Sequence, residues 1–176
     1  MILKPNFFVF TGGPGVGKTS LIHHLQALGE RVVEESHRAV IAEQVAAGSR
    51  AVPWDDFAGC CALCVARDIG KFDALAGETA RIFFDRGIPD GFDPRWRPPP
   101  DLLAAARARR YNRRIFVFPP WREIYETDAE RRQDWAESEA TYPRVMAGAK
   151  RFGYTPIIVP RADIGTRAAF VLDHAS

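Results

Sequence analysis

Along the 176-residue chain, short unbroken apolar runs alternate with longer stretches in which apolar residues recur every three or four positions. The first pattern suits strands buried on both faces, and the second suits helices laid against a sheet. Phe7–Phe10 is an apolar run that closes on Thr11-Gly12-Gly13; Arg31–Glu34, Arg81–Phe84, Ile115–Phe118 and Pro156–Val159 read as four further strands. Between them the spacing predicts helices over Lys18–Leu28, His37–Ala47 and Asp56–Leu75, the last with Phe57, Cys61, Cys64, Val65, Ile69 and Phe72 inward. Asp101 caps a short helix, Leu102–Arg109, and Ile164–His174 closes the chain. Thr127-Asp128-Ala129-Glu130 has the spacing of a capping box. It opens a long helix with Trp135, Tyr142, Val145, Ala149 and Phe152 on one stripe, a kink at Pro143 and a stop at Gly153. Gly87–Pro100, rich in proline and glycine, is the longest loop and so a candidate for function. The expectation is an α/β fold: one doubly wound, mainly parallel five-stranded sheet with helices on both faces, and residues 1–176 as a single domain.

Gly12-Gly13-Pro14-Gly15-Val16-Gly17-Lys18-Thr19 satisfies G-x-x-x-x-G-K-[ST], the P-loop pattern, so the expected α/β fold is of P-loop NTPase type. A loop holds phosphates only if its backbone N–H groups turn inward, and glycines permit those dihedrals. The candidate cradle is Gly13, Pro14, Gly15, Val16, Gly17, Lys18, Thr19 and Ser20. Lys18 places a point charge on the β- and γ-phosphates, the Thr19 hydroxyl reaches Mg²⁺, and the following helix adds its positive N-terminal end. An apolar strand before and an amphipathic helix after are the context this mechanism requires. A second anchor is Ile82-Phe83-Phe84-Asp85, a strand ending in a carboxylate that could hold Mg²⁺ or its waters beside Thr19.

Composition narrows the field without naming a function. With 24 basic and 22 acidic residues the net charge is +2, which gives no field for nucleic acid or anionic membrane. No apolar run approaches the roughly 20 residues that span a bilayer. Met1–Asn6 leads straight into the first strand, which argues against a cleaved leader. Cys60, Cys61 and Cys64 are an odd, clustered set rather than a disulfide framework, so the cytoplasm is the expected compartment. The pair Cys61-x-x-Cys64 falls on the apolar stripe with Phe57 and reads as core, and the four histidines show no ligand spacing.

Asp85-Arg86 resembles the Asp-Arg pair of thymidylate kinases and the acid-Arg pair of deoxynucleoside kinases. More fully, the chain resembles the small P-loop kinase-like family of AAA-domain ATPases, close to the nicotinamide-riboside kinase domain of the bacterial NAD regulator. Phe10–Thr19, Val33-Glu34-Glu35 with Arg38, and Asp85–Asp90 carry that resemblance. Pro119-Pro120-Trp121, Ile124-Tyr125, Asp128 with Glu130-Arg131, Gly153-Tyr154 and Val159-Pro160 complete it, from about Asn6 to Leu172. The resemblance implies strand order 2-3-1-4-5 and a lid over the phosphates. Ring-forming AAA+ motors place a catalytic Glu where Arg86 follows Asp85, so a motor is not expected. An Asn-Lys-x-Asp guanine motif is missing, which argues against a Ras-like switch.

Within that frame Arg131 and Arg132 are candidate lid arginines for the γ-phosphate, or surface cations. Glu35 could take the acceptor's proton, in competition with Asp85, or serve only as a helix N-terminal carboxylate. Arg86 either clamps phosphate or pairs with Asp85, and Asp90 either touches the acceptor or caps a turn. Trp54 and Trp121 sit in loops, where they could stack on a ring or pack on a helix end. Arg107, Arg109, Arg110, Arg113 and Arg114 form a basic run, either a solvated helix end or a patch for RNA or lipid. The leading expectation is a kinase in which Lys18, Asp85, Arg131 and Glu35 act on MgATP, with GTP not excluded, and on an unidentified small-molecule acceptor. A regulatory module with slow hydrolysis is the alternative. Oligomeric state is unreadable.

Overall fold

The computed structural model describes residues 1–99, 101–125 and 135–176. In chain order the elements are β1 (Ile2–Leu3), β2 (Phe7–Gly12), α1 (Lys18–Ala27), β3 (Arg31–Val33), α2 (Ser36–Ala46), α3 (Phe57–Ala74) and β4 (Ile82–Asp85). Then come α4 (Leu102–Ala108), β5 (Arg109–Arg110), β6 (Arg114–Phe118), α5 (Trp135–Arg151), β7 (Thr155–Ile158) and α6 (Ile164–His174). The main sheet is parallel throughout, in the order β3-β4-β2-β6-β7. Counting only its five strands, that is the expected 2-3-1-4-5. Outside it, β1 pairs with β5, a two-residue ladder too short to leave a periodic signal in the sequence.

The three central strands are apolar on both sides because helices cover both sides. Side chains alternate along each strand, so Phe7 and Val9 of β2, Ile82 and Phe84 of β4, and Ile115 and Val117 of β6 enter one core. That core is closed by Val65 and Phe72 of α3, Leu102, Ala105 and Ala106 of α4, and Ala149 of α5. Their neighbours Phe8, Phe10, Phe83, Phe116 and Phe118 enter the opposite core under Leu21, Ile22 and Leu25 of α1 and Val171 of α6. Phe10 lies 5.2–5.6 Å from Phe83, Phe116 and Phe118 in tilted and edge-on contacts. The rigid middle of the molecule is therefore the trio of strands whose C-terminal ends carry Gly12, Asp85 and Phe118. In an open parallel sheet, that is the edge at which ligands bind.

Some expected details shift. The helix predicted from His37 begins one residue earlier, at Ser36, and the basic run leaves its helix at Ala108 to form β5. The loop predicted over Gly87–Pro100 opens with a 3-10 turn, Ile88–Gly91. The capping box Thr127–Glu130 lies outside the described residues, and α5 is seen from Trp135, with Pro143 inside it. No described helix is long and apolar enough to cross a membrane.

Candidate active site

The loop between β2 and α1 is folded as its glycines require. Gly12, Gly15 and Gly17 have φ of 147°, 70° and 80°, a region closed to most side chains. Space is equally restrictive: a Cβ at Gly15 would lie 2.5 Å from the Tyr125 ring, and one at Gly13 would lie 2.7 Å from the Ser138 carbonyl. Ser138, buried on α5, donates to the Pro14 carbonyl at 2.8 Å and fixes the loop from above. Lys18 is buried and curls back, donating to the carbonyls of Gly13 at 2.8 Å and Gly12 at 3.4 Å. Burial, with the Arg86 charge nearby, lowers its ammonium to about 8, against the pull of Asp85 and Glu35. Two carbonyl dipoles are weaker partners for a buried ammonium than a full negative charge.

Beside it, Thr19 Oγ1 donates to Asp85 Oδ2 at 2.8 Å, which joins the first turn of α1 to the end of β4. The other Asp85 oxygen, Oδ1, is buried and has no hydrogen-bond partner among the described residues. An orphaned carboxylate oxygen beside a threonine hydroxyl is an oxygen-donor pair of the sort that Mg²⁺ takes, so these residues fit the ion.

Arg86 resolves one of the alternatives. Its Nε donates to Glu35 Oε1 at 2.6 Å and its Nη1 reaches Asp90 Oδ1 at 3.4 Å, so its side-chain partners are these two carboxylates rather than Asp85. It is the one non-glycine residue with positive φ, 69°, among those described. Such strain is of the order of 1–3 kcal/mol and persists where surrounding contacts over-determine it. Here the backbone bond from Arg86 N to Phe10 O and the two carboxylates do so. Glu35 is held down to about 2: burial alone would raise it, but the Arg86 and Lys18 charges prevail. Asp90 serves the turn, with Oδ2 accepting from Gly87 N at 3.0 Å, while its Oδ1 also accepts from the Thr11 hydroxyl. Burial raises its carboxyl.

All of this forms one end of a cleft of about 850 Å³ that runs from Pro14–Ser20 past Glu35, Arg38 and Arg86 to Trp54, Phe57 and the 87–99 loop. Three groups in it escaped sequence reasoning. Asp68, on α3, accepts from the Ser36 hydroxyl, and its burial pushes it up to about 6. Arg144 of α5 pairs with Glu137 and lies 3.7 Å from Asp93, which also holds Arg95. Arg167, on α6, donates to the Gly17 carbonyl at 3.5 Å, stacks over Trp121 at 5.5 Å, and keeps an unpaired, buried Nε. Each sits on a helix whose periodicity announced only packing, so no local signal marked them. Trp54 is exposed on the cleft wall.

Of the remaining expected residues, Gly13 and the residues Pro14, Gly15, Val16, Gly17, Lys18, Thr19 and Ser20 all belong to the loop or to the start of α1. Arg131 and Arg132 lie outside the described residues. Part of the basic run is engaged: Arg109 binds Asp73, and Arg110 stacks 4.2 Å over Tyr154. The cysteine reading needs correcting. Cys60 is the buried one, whereas Cys61 and Cys64 are half-buried and line the cleft, because α3 turns that flank of its stripe toward the open space rather than the sheet.

Comparison with known proteins now has geometry to stand on. A family model described as an AAA domain matches residues 7–167, nearly the whole chain. The chain belongs to that family. No curated protein matches this AAA-domain chain in sequence. Among solved structures, a deoxyadenosine kinase from M. mycoides with dCMP and a flexible dCDP bound is similar at TM-score 0.66 and 11% identity, covering 96% of this chain and 97% of that one. The same enzyme with dATP bound gives 0.59 and 10%, covering 96% and 98%. A shikimate kinase from Acinetobacter baumannii in complex with shikimate gives 0.58 and 14%, covering 97% and 92%. At these identities the likeness establishes the fold, an α/β parallel sheet shared with P-loop kinases.

Proposed function

We propose that this protein transfers the γ-phosphoryl group of MgATP to a hydroxyl of a small molecule, acting as one nucleotide-binding domain in the cytoplasm. The observation that carries the reading is the continuity of the cleft. One space of about 850 Å³ joins the phosphate loop to a wall bearing Glu35, Arg38, Asp68, Arg86 and Asp90. A plain hydrolase needs room for water alone. The fold shared with a deoxyadenosine kinase bound to dCMP and dCDP and a shikimate kinase bound to shikimate supports the same reading.

In this account, the backbone N–H groups of Gly13 and residues 15–19 and the Lys18 ammonium hold the β- and γ-phosphates. Thr19 and Asp85 would hold Mg²⁺, which would supply charge neutralisation at the phosphates. Arg131, expected from the sequence as a lid arginine, contributes positive charge to the γ-phosphate. Glu35, ionised and pinned by Arg86, positions the acceptor hydroxyl by accepting its hydrogen bond. A carboxylate held near 2 is a feeble base, whereas Asp68, at about 6, is better matched to receive a proton near neutrality. Phosphoryl transfer passes through a loose transition state, so positioning and charge stabilisation carry most of the rate.

The test is a screen of γ-labelled ATP and GTP against nucleosides, deoxynucleosides, ribosides, shikimate and sugars. The expected result is one acceptor that takes up label much faster than water does. If nucleotide binds and no compound ever carries the label, the kinase reading is wrong.

A further inference from the structure

Cys60, Cys64 and His37 play no part in the chemistry above, yet the fold brings them together. Cys60 and Cys64 stand one turn apart on α3, so their side chains share a face. His37 enters from the first turn of α2, which packs alongside. The imidazole nitrogen and the two sulfurs all lie within 4.8 Å of one another. A buried cysteine by itself is a small apolar side chain. Three ligands converging from two helices is a different observation, because apolar packing gives no reason for an imidazole to sit within reach of two thiols.

We infer that His37, Cys60 and Cys64 form a binding site for zinc that clips α2 to α3 beneath the acceptor half of the cleft. Thiolate and imidazole ligands are those that Zn²⁺ prefers, at about 2.3 Å for sulfur and about 2.0 Å for nitrogen. Tetrahedral geometry then sets ligand atoms roughly 3.5–3.8 Å apart, so the observed cluster closes on an ion by side-chain rotation of about 1 Å. Two thiolates neutralise the ion's charge, which suits a site whose deepest member, Cys60, is fully buried. His37 and Cys64 line the cleft while Cys60 lies behind them, so the ion enters from that side and its fourth position faces the cleft, where water completes the shell. Three protein ligands with one open position is the arrangement of an accessible zinc site rather than a closed structural one. The inference is independent of the nucleotide chemistry.

The test uses the full chain, reduced and freed of metal, titrated with Zn²⁺ against a chromophoric chelator and separately with Co²⁺. One equivalent of each is expected, and the Co²⁺ form should show thiolate charge transfer together with visible bands of four-coordinate intensity. Cys64→Ser and His37→Asn, both at half-buried positions, should each weaken Zn²⁺ binding by more than the roughly 10–100-fold that outer-shell changes cost. Cys61→Ser, one residue from Cys60 but outside the cluster, should bind as the wild type does. Zinc should raise the melting temperature of the wild type and of Cys61→Ser and leave the other two unmoved. A wild-type chain that takes up no zinc, a cobalt spectrum without thiolate character, or variants that bind undiminished would overturn the inference. The wild-type spectrum decides even if a variant misfolds.

Discussion

Glu35→Gln separates anchoring from chemistry at the site. The substitution keeps the shape of the side chain and an oxygen to face Arg86, but it removes the charge. In the wild type, the charges of Arg86 and Lys18 overcome burial and take the carboxyl from its ordinary 4.5 to about 2. At about 1.36 kcal/mol per pH unit, this makes ionised Glu35 worth about 3 kcal/mol to the folded state. Its side chain is 18% exposed and that of Arg86 23%, so solvent screens the pair only slightly. Because the folded pKa is depressed, the stabilisation is complete above pH 4.5 and drains away as pH falls toward 2. Urea unfolding of both proteins should therefore show a gap of about 3 kcal/mol at pH 7, little changed at pH 5 and less than half as large near pH 3. A gap under about 1 kcal/mol at pH 7, or one that does not narrow between pH 5 and 3, would refute the ion-pair reasoning.

Other outcomes follow from single contacts. Thr19→Val removes the hydrogen bond to Asp85 and leaves both buried oxygens of that carboxylate unpaired. Thermal melts should show a loss of about 1–3 kcal/mol, and half-maximal phosphoryl transfer should need more Mg²⁺. Gly15→Ala places a methyl group 2.5 Å from the Tyr125 ring at φ +70°. Strain of about 1–2 kcal/mol should accompany a fall of about tenfold or more in triphosphate affinity by calorimetry. Asp68, raised to about 6 chiefly by burial, should give wild-type kcat/KM a limb that climbs through that pH, and Asp68→Asn should flatten it.

The parts of this molecule that were legible in its sequence are those written locally. Phe7–Gly12 and Ile82–Asp85 are apolar without a break because both faces of those strands are covered. The glycines of the loop announce themselves because a side chain at φ values of 70° and 80° would be strained and would meet neighbouring side chains at under 3 Å. Thr19 and Asp85, expected as partners from their places in strand and loop, do meet. What could not be read is what two distant segments make together. Arg86 binds Glu35, 51 positions away, rather than its neighbour Asp85. Asp68 and Arg167 sit on helical stripes like any other helix residue, and only their helices' placement against the cleft gives them a role. The Cys61-x-x-Cys64 spacing pointed to the core, whereas the convergent set, Cys60, Cys64 and His37, spans two helices.

Calorimetric titration of the full chain with ATP, with and without Mg²⁺, beside Lys18→Ala, tests most directly whether residues 12–19 are a triphosphate cradle. The expected result is one site, tightened by Mg²⁺ and lost in Lys18→Ala, whose ammonium otherwise rests on the Gly13 carbonyl. A wild type that gives no binding heat with MgATP, or an affinity untouched by removing that lysine, would contradict the account.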